Sequence, residues 1–546
     1  MRQAVILAGG KGTRLLSRSG ALPKALVDVG GTPLLGHQLR LLREHGFTKV
    51  LLLVNYLAET IAEYCRDSAP AGLSVSILRD GEPRGTAGAV LHALPQLEEQ
   101  FAVLYGDTML NVDLTRFWEW HTRHAEAAAS LFLHPNDHPQ DSDLAEVDED
   151  KRIVRFHSYP HPDGAYLPNL VNAALYILRR DALPPPDAYP KPVDFAKGLF
   201  PDLLRNGALL LGYVSPEYIK DAGTPNRLDR VRQDLASGKI ARSSLGAAQG
   251  GVLMDRDGTI NEERGHIRRP EDLHVFDGVG PALRHLNEAG WRTVLITNQP
   301  VLARGEAIRE DLRQIHAKLD TVVARSGAYF DRKYTCPHHP HGGFPGEVLA
   351  LKIRCTCRKP EPGLILQAQE ELNLNLAESW FIGDSAADLG AAAAAGVTSI
   401  LVRTGPLQDP AAHSQQPDFI EENFAGAVHF ILHDYPRVAE SCGSLVSRME
   451  AGFEWAVAGP CPPEQKMAVA VLRRELARRG VKANVQPFNR SLPKPEHIIF
   501  VPCSRSEGND EFLSGQQISE LKQEAKIVEV WTLPPQTQQA AREAAH

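Results

Sequence analysis

Two short apolar runs in this chain each open into a loop suited to phosphate. Residues 4–7 lead into Ala8-Gly9-Gly10-Lys11-Gly12-Thr13-Arg14, and residues 251–254 lead into Asp255-Arg256-Asp257-Gly258-Thr259. A strand that ends in glycines exposes consecutive backbone N–H groups to an anion, and carboxylates two residues apart at a strand end point the same way. Similar apolar runs at 50–54, 101–104 and 209–213, and again at 294–297, 380–383 and 399–402, alternate with helix-like segments. That alternation is expected of doubly wound α/β units, which place ligands beyond the carboxyl ends of their strands.

A chain of 546 residues exceeds what one hydrophobic core can organise. The expected division is a Rossmann-like α/β domain over 1–237, a Ser/Ala/Gly-rich linker over 238–250, a second α/β domain over 251–434 and a small α/β unit over 435–546. The residues after Pro534 are expected to fray. A formal charge of −8 argues against a general binder of nucleic acid or of anionic membranes. The opening apolar stretch falls well short of a signal core or a membrane span, so a cytoplasmic protein acting on small anions is expected. Self-association is left open.

In the first domain, Gly9, Gly10 and Gly12 let the backbone wrap a triphosphate, while Arg14 and Lys24 can neutralise charge as one phosphate displaces another. Gly85-Thr86-Ala87-Gly88, Gly106-Asp107 and Asp221-Ala222-Gly223 each follow an expected strand, and the carboxylates Asp107 and Asp221 could share one Mg²⁺. This set resembles the sugar nucleotidyltransferase family, nearest its mannose- and heptose-1-phosphate guanylyltransferase branch. The resemblance implies a nucleotide site at Leu7, Ala8, Gly9, Gly10, Gly12, Thr13, Gly85, Thr86 and Gly88. It also implies catalytic cations at Arg14 and Lys24, Mg²⁺ on Asp107 and Asp221, and a sugar contact at Asn172. The chain departs from the family at His157-Ser158-Tyr159-Pro160, where a Glu-Lys pair is usual.

The second loop supplies phosphatase parts. Asp255 can act as nucleophile, Asp257 as acid and later base, Thr297 as a hydroxyl donor and Lys359 as a fixed cation, with Mg²⁺ on Asp255, Asp257 and Asp384. Thr297-Asn298-Gln299, Arg358-Lys359-Pro360 and Gly383-Asp384-Ser385 follow in the order of the haloacid-dehalogenase-type phosphatases, which the domain resembles. Cys336 and His338, then sixteen residues, then Cys355 and Cys357 suit a closed structural zinc site with no vacancy for water. Within that family the domain is similar to the heptose-bisphosphate phosphatases, which implies substrate contacts at Asn298, Arg304 and Arg358. The histidinol-phosphate phosphatases share the zinc pattern.

In the third unit, Gly459-Pro460-Cys461-Pro462-Pro463-Glu464-Gln465-Lys466-Met467 resembles a degenerate P-loop kinase opening. It lacks the second glycine before Lys466 and the hydroxyl after it, so packing or assembly is expected in place of catalysis. Residues 436–546 hold 14 Lys/Arg against 13 Asp/Glu, which weighs against a nucleic-acid end-processing enzyme. The expectation is a bifunctional enzyme on sugar phosphates and a nucleoside triphosphate. It would remove the 7-phosphate of heptose 1,7-bisphosphate and join heptose 1-phosphate to GMP from GTP. The rival is another sugar-1-phosphate nucleotidyltransferase fused to a phosphatase of histidinol-phosphate type.

Overall fold

The computed structural model describes residues 2–10, 22–79, 81, 83–189, 191–405, 415–441, 446, 449, 454–458, 462–479, 481, 484–487, 497–500 and 527–530. They form two compact units, Met1–Ala247 and Ala248–His546. Among the described residues no helix is long and apolar enough to cross a membrane.

The first unit is built on a nine-stranded sheet. Strands β1 (Arg2–Leu7), β2 (Phe47–Val54), β3 (Ser74–Arg79) and β4 (Gln100–Tyr105) run parallel in the order β3-β2-β1-β4. The first three strands wind to one side of β1 and the fourth returns to the other, which opens a crevice beyond the ends of β1 and β4. In β1, β2 and β4 a largely apolar sequence reflects burial on both faces, whereas the edge strand β3 is partly exposed. Ala4 and Ile6 of β1 join one core with Val50 and Leu52, and Val5 joins the opposite core with Leu51 and Leu53. Beyond β4 the sheet turns antiparallel at Val171–Arg179. A separate ribbon pairs Thr108–Asn111 with Tyr218–Asp221 and places Asp221 opposite Thr108.

The second unit holds a six-stranded, wholly parallel sheet. Strands β5 (Gly251–Met254), β6 (Arg292–Asn298), β7 (Arg332–Cys336), β8 (Trp380–Gly383), β9 (Thr398–Val402) and β10 (Phe419–Glu421) lie in the order β7-β6-β5-β8-β9-β10. The switch in winding falls between β5 and β8, whose ends carry Asp255 and Asp384. A smaller parallel sheet orders Asn484–Pro487, Glu454–Ala458, His497–Phe500 and Ile527–Val530 side by side, a doubly wound arrangement.

Two features of organisation differ from the sequence reading. The stretch 238–250 is not a free linker over most of its length: Lys239–Arg242 is helical, and Ile240 and Leu245 are buried against the first unit. Asn111 Nδ2 donates to Ile240 O at 2.9 Å, and the Leu245 N–H donates to Glu217 Oε1 at 3.2 Å. Two apolar side chains among small residues suffice to anchor the segment. The C-terminal residues also share a core with the six-stranded sheet, where Tyr435 stacks edge-on to Trp380 at 4.7 Å. Helix Pro462–Arg478 contributes Arg474, whose guanidinium lies 3.7 Å over the Trp380 ring. Arg474 donates to Ser379 O (2.7 Å), Glu378 O (2.8 Å) and Thr398 Oγ1 (2.7 Å), capping the amino-terminal ends of β8 and β9. Gln465, Lys466 and Met467 lie within this helix; Gly459, Pro460 and Cys461 fall outside the described residues.

Candidate active sites

At the switch point of the first sheet, a cavity of about 750 Å³ is lined by Leu7, Ala8, Gly9, Gly10, Lys24, Gly85, Thr86, Asp107 and Gly223. It is tied together from below: Ala8 N donates to Leu53 O and Gly106 N to Leu7 O, both at 2.9 Å. Gly12, Thr13 and Arg14 lie outside the described residues. Lys24 Nζ pairs with Asp107 Oδ2. A Cβ at Gly223 would fall 2.5 Å from Lys24 Nζ and 2.6 Å from Asp221 Oδ1, so a glycine there allows lysine and carboxylate to converge. Asp221 also accepts from Arg227 Nη1 at 2.6 Å. Each carboxylate of the expected Mg²⁺ pair therefore already has one cationic partner, Lys24 for Asp107 and Arg227 for Asp221.

Helix Gly85–Ala93 behaves differently from a free anion-binding terminus. Thr86 N and Oγ1 donate to Asp194 Oδ1 at 3.0 and 3.1 Å, and the N–H groups of Ala87 and Gly88 donate to Val193 O at 3.0 and 3.1 Å. Gly85 and Thr86 still line the cavity, but Gly88 does not and its N–H is used within the protein. Asn172 also lies off the cavity; its Oδ1 faces the N–H of Ala174 at 3.5 Å. A partner more than one hundred residues downstream, as Val193 and Asp194 are, leaves no local signal.

In the second unit, a cavity of about 230 Å³ at the β5/β8 switch is lined by Asp255, Asp257, Thr297, Asn298, Arg358, Lys359 and Asp384. Gly258 makes the approach of the two strand ends feasible: its φ is +79°, and a Cβ there would meet Asp384 Oδ2 at 2.2 Å. Lys359 is buried with Nζ 2.7 Å from Asp255 Oδ1, 2.6 Å from Asp388 Oδ1 and 2.9 Å from Ile296 O. Burial opposes its charge, but the carboxylates of Asp255 and Asp388 hold its pKa up at about 12. Burial, then the neighbouring Asp388 carboxylate, pushes Asp255 up to about 7, and burial with Asp388 and Asp255 pushes Asp384 up to about 8. Asp255, Asp384 and Asp388 offer oxygens within 4.8 Å of one another, an acidic trio with Asp384 and Asp388 buried and Asp255 half-buried, balanced by one lysine and suited to a hard divalent cation.

The geometry redistributes several expected roles. Asp257 does not join the acidic trio: its Oδ1 and Oδ2 take hydrogen bonds from Arg256, Gln299 and Asn261. The third acid is Asp388, which the sequence reading missed although it stands one helical turn after Asp384. Its other oxygen accepts from Ser385 N (3.0 Å) and Oγ (2.6 Å), starting helix Ala386–Ala395. Asn298, expected at the substrate, clasps the backbone of Lys359 with both ends of its amide at 3.1 Å. Thr297 Oγ1 takes a hydrogen bond from Gln299 Nε2 at 2.9 Å. Arg358 lines the cavity and donates to His338 O at 3.1 Å. Arg304 stands outside it, paired with Glu306 at 2.8 Å and stacked 3.8 Å over the Phe344 ring.

Cys336, His338, Cys355 and Cys357 come together with all ligand atoms within 4.8 Å. Sulfur–sulfur distances of 3.7, 3.3 and 3.2 Å, with His338 Nδ1 at 3.2 Å from Cys357, match the edges of a small tetrahedron. Burial pushes the Cys336 thiol well above its ordinary value, so a cation is what would draw out the thiolate. Arg358 and Lys359 follow Cys357 directly, which couples this cluster to the floor of the cavity.

Residues 3–238 match the nucleotidyl transferase family and residues 356–427 the HAD-hydrolase-like family. Among curated proteins, the chain is 42% identical over 155 residues to the D-glycero-beta-D-manno-heptose-1,7-bisphosphate 7-phosphatase of Yersinia pestis, covering 28% of this chain and 80% of that one. It is 39% identical over 194 residues to the D-glycero-D-manno-heptose-1,7-bisphosphate 7-phosphatase of Thermosynechococcus vestitus, covering 34% and 97%. Among solved structures, HddC from Yersinia pseudotuberculosis aligns with 26% identity, 43% of this chain and 100% of that one, at a TM-score of 0.37. The chain joins a nucleotidyl transferase domain to a phosphatase, and through the latter it belongs to the D-glycero-D-manno-heptose-1,7-bisphosphate 7-phosphatase family.

Proposed function

We propose that the protein carries out two consecutive steps of nucleotide-activated heptose synthesis: it removes the 7-phosphate of D-glycero-D-manno-heptose 1,7-bisphosphate, then joins the resulting heptose 1-phosphate to GMP from GTP, releasing pyrophosphate. The observation that carries this reading is the fusion itself, in which a phosphatase of this family shares a chain with a domain that consumes sugar 1-phosphates. Its substrates are small sugar phosphates and a nucleoside triphosphate, and its setting is the cytoplasm.

In the phosphatase, Asp255 attacks phosphorus, the P–O ester bond breaks, and Asp257 gives a proton to the departing sugar oxygen. Water then attacks the aspartyl-phosphate, Asp257 takes its proton, and phosphate leaves with the Asp255 carboxylate restored. Lys359 holds Asp255 in place and faces the developing charge. Asp255, Asp384 and Asp388 would hold Mg²⁺, which when bound neutralises the transferring phosphoryl group. Zinc on Cys336, His338, Cys355 and Cys357 would pin the loop that leads to Lys359. In the transferase, the loop from Leu7 to Gly10 cradles the triphosphate, Lys24 neutralises phosphate charge, and Asp107 and Asp221 would hold a second Mg²⁺.

The test is to supply both anomers of heptose 1,7-bisphosphate and to measure phosphate release, then nucleotide-sugar formation with each of the four nucleoside triphosphates. Release from C7 followed by GDP-heptose formation is expected. Faster turnover of histidinol phosphate, or nucleotide transfer to mannose or glucose 1-phosphate but not to heptose 1-phosphate, would overturn the reading.

A further inference from the structure

The residue between the two aspartates of the nucleophile loop does not itself line the cavity but lies behind two residues that do, Asp257 and Gln299. Here it is Arg256, fully buried. Burying a guanidinium costs several kcal/mol unless its geometry is well matched, so its partners identify what it does. Nε and Nη2 each lie 3.0 Å from Asp257 Oδ1, and Nη2 lies 2.8 Å from Oδ2. Gln299 closes the arrangement: its Oε1 accepts from Arg256 Nη2 at 3.0 Å, and its Nε2 donates to Asp257 Oδ2 at 2.9 Å. Asn261 Nδ2 adds a bond to Oδ1 at 3.0 Å. Both oxygens of Asp257 are thereby held from behind, and the carboxylate still borders the cavity beside Asp255.

We propose that Arg256 is a positioning residue that, with Gln299, locks the Asp257 carboxylate in the one orientation from which it reaches the departing sugar oxygen. The inference rests on the reading of Asp257 as the proton donor. The planar fork of arginine matters because two parallel bonds fix the rotation of a carboxylate, whereas one point charge fixes only its position.

The experiment compares kcat/KM, which reports the steps through loss of the leaving group, for two substrates in the intact chain with Mg²⁺. Heptose 1,7-bisphosphate releases an alkoxide that needs a proton. p-Nitrophenyl phosphate releases a phenolate that does not. Asp257→Asn serves as the reference and should lower kcat/KM on the sugar by roughly 10²- to 10⁴-fold more than on the aryl substrate. Arg256→Lys, which retains the charge without the fork, should reproduce that split in smaller measure, on the order of 10²-fold on the sugar. If Arg256→Lys lowers both substrates equally while Asp257→Asn shows the split, Arg256 is only structural and the inference fails. If Asp257→Asn shows no split, the assignment of the proton donor fails instead. Should Arg256→Lys not fold, Gln299→Leu leaves the buried pair in place and must show the same direction of split; equal losses on both substrates would count against the proposal.

Discussion

The two cavities occupy the same place in two sheets of the same winding, yet they are filled in opposite ways. In each sheet three strands wind to one side, the fourth returns beside the first, and the site opens beyond those two strand ends. The transferase cavity is wide and carries glycines in its wall, with Lys24 paired to Asp107 and Arg227 paired to Asp221. The phosphatase cavity is narrow and crowded with buried carboxylates around Lys359. A glycine loop leaves room for a triphosphate to bring its own charge, while an acidic trio is suited to a divalent cation and, on the proposed reading, to holding a nucleophile against one phosphoryl group. The winding decides where chemistry happens, and the side chains at the strand ends decide which chemistry it is.

This contrast implies that the two sites can be disabled separately. Asp255→Asn should abolish phosphate release, with a loss on the order of 10⁶-fold as for other nucleophile deletions, while pyrophosphate release from GTP and heptose 1-phosphate continues. Loss of both activities in that variant would break the separation. In the other direction, Asp107→Ala should cost the transferase about 10²- to 10³-fold in kcat, the scale of removing one preorganised charge-stabilising group, and leave phosphate release untouched. Normal pyrophosphate release would remove Asp107 from the metal site.

The Cys/His cluster and the C-terminal helix sharpen the comparison, since both belong to the phosphatase unit. Cys355→Ser should lower bound zinc and phosphatase activity together, the latter by about 10- to 100-fold, without changing nucleotidyl transfer. Metal analysis of the purified wild-type protein finding no zinc would overturn this. Arg474→Met should act on stability alone. Losing its hydrogen bonds and the stacking on Trp380 should destabilise the phosphatase unit by about 3 kcal/mol, read as a shift in urea midpoint, with both activities retained at 25 °C. An unchanged midpoint would mean that the C-terminal helix does not brace this sheet.

Much of this was legible along the chain because the relevant physics is local. Glycines at strand ends, carboxylates two apart, and short Cys/His pairs flanking a Gly/Pro-rich loop each announce their chemistry within a few residues. The less legible features all depend on a partner far away. Gly88 gives its N–H to Val193, Asn298 clasps Lys359, and Tyr435 packs on Trp380. Asp388 is an intermediate case: it lies four residues after Asp384, but only the approach of Lys359 from another loop gives it a role at the site.

Sequence alone therefore determined the α/β class, the order of the two domains, the strand-end loop that carries Asp255 and Asp257 and the Cys/His spacing of Cys336, His338, Cys355 and Cys357, since strand periodicity and side-chain type are properties of short segments. Tertiary structure decided the membership of the acidic trio, the fate of Asp257 behind Arg256, and the shared core of the C-terminal helix with the phosphatase sheet. Which hydrogen-bond or charge partner a buried group obtains depends on strand order and crossover packing, and those bring together residues whose separation along the chain carries no trace of their meeting.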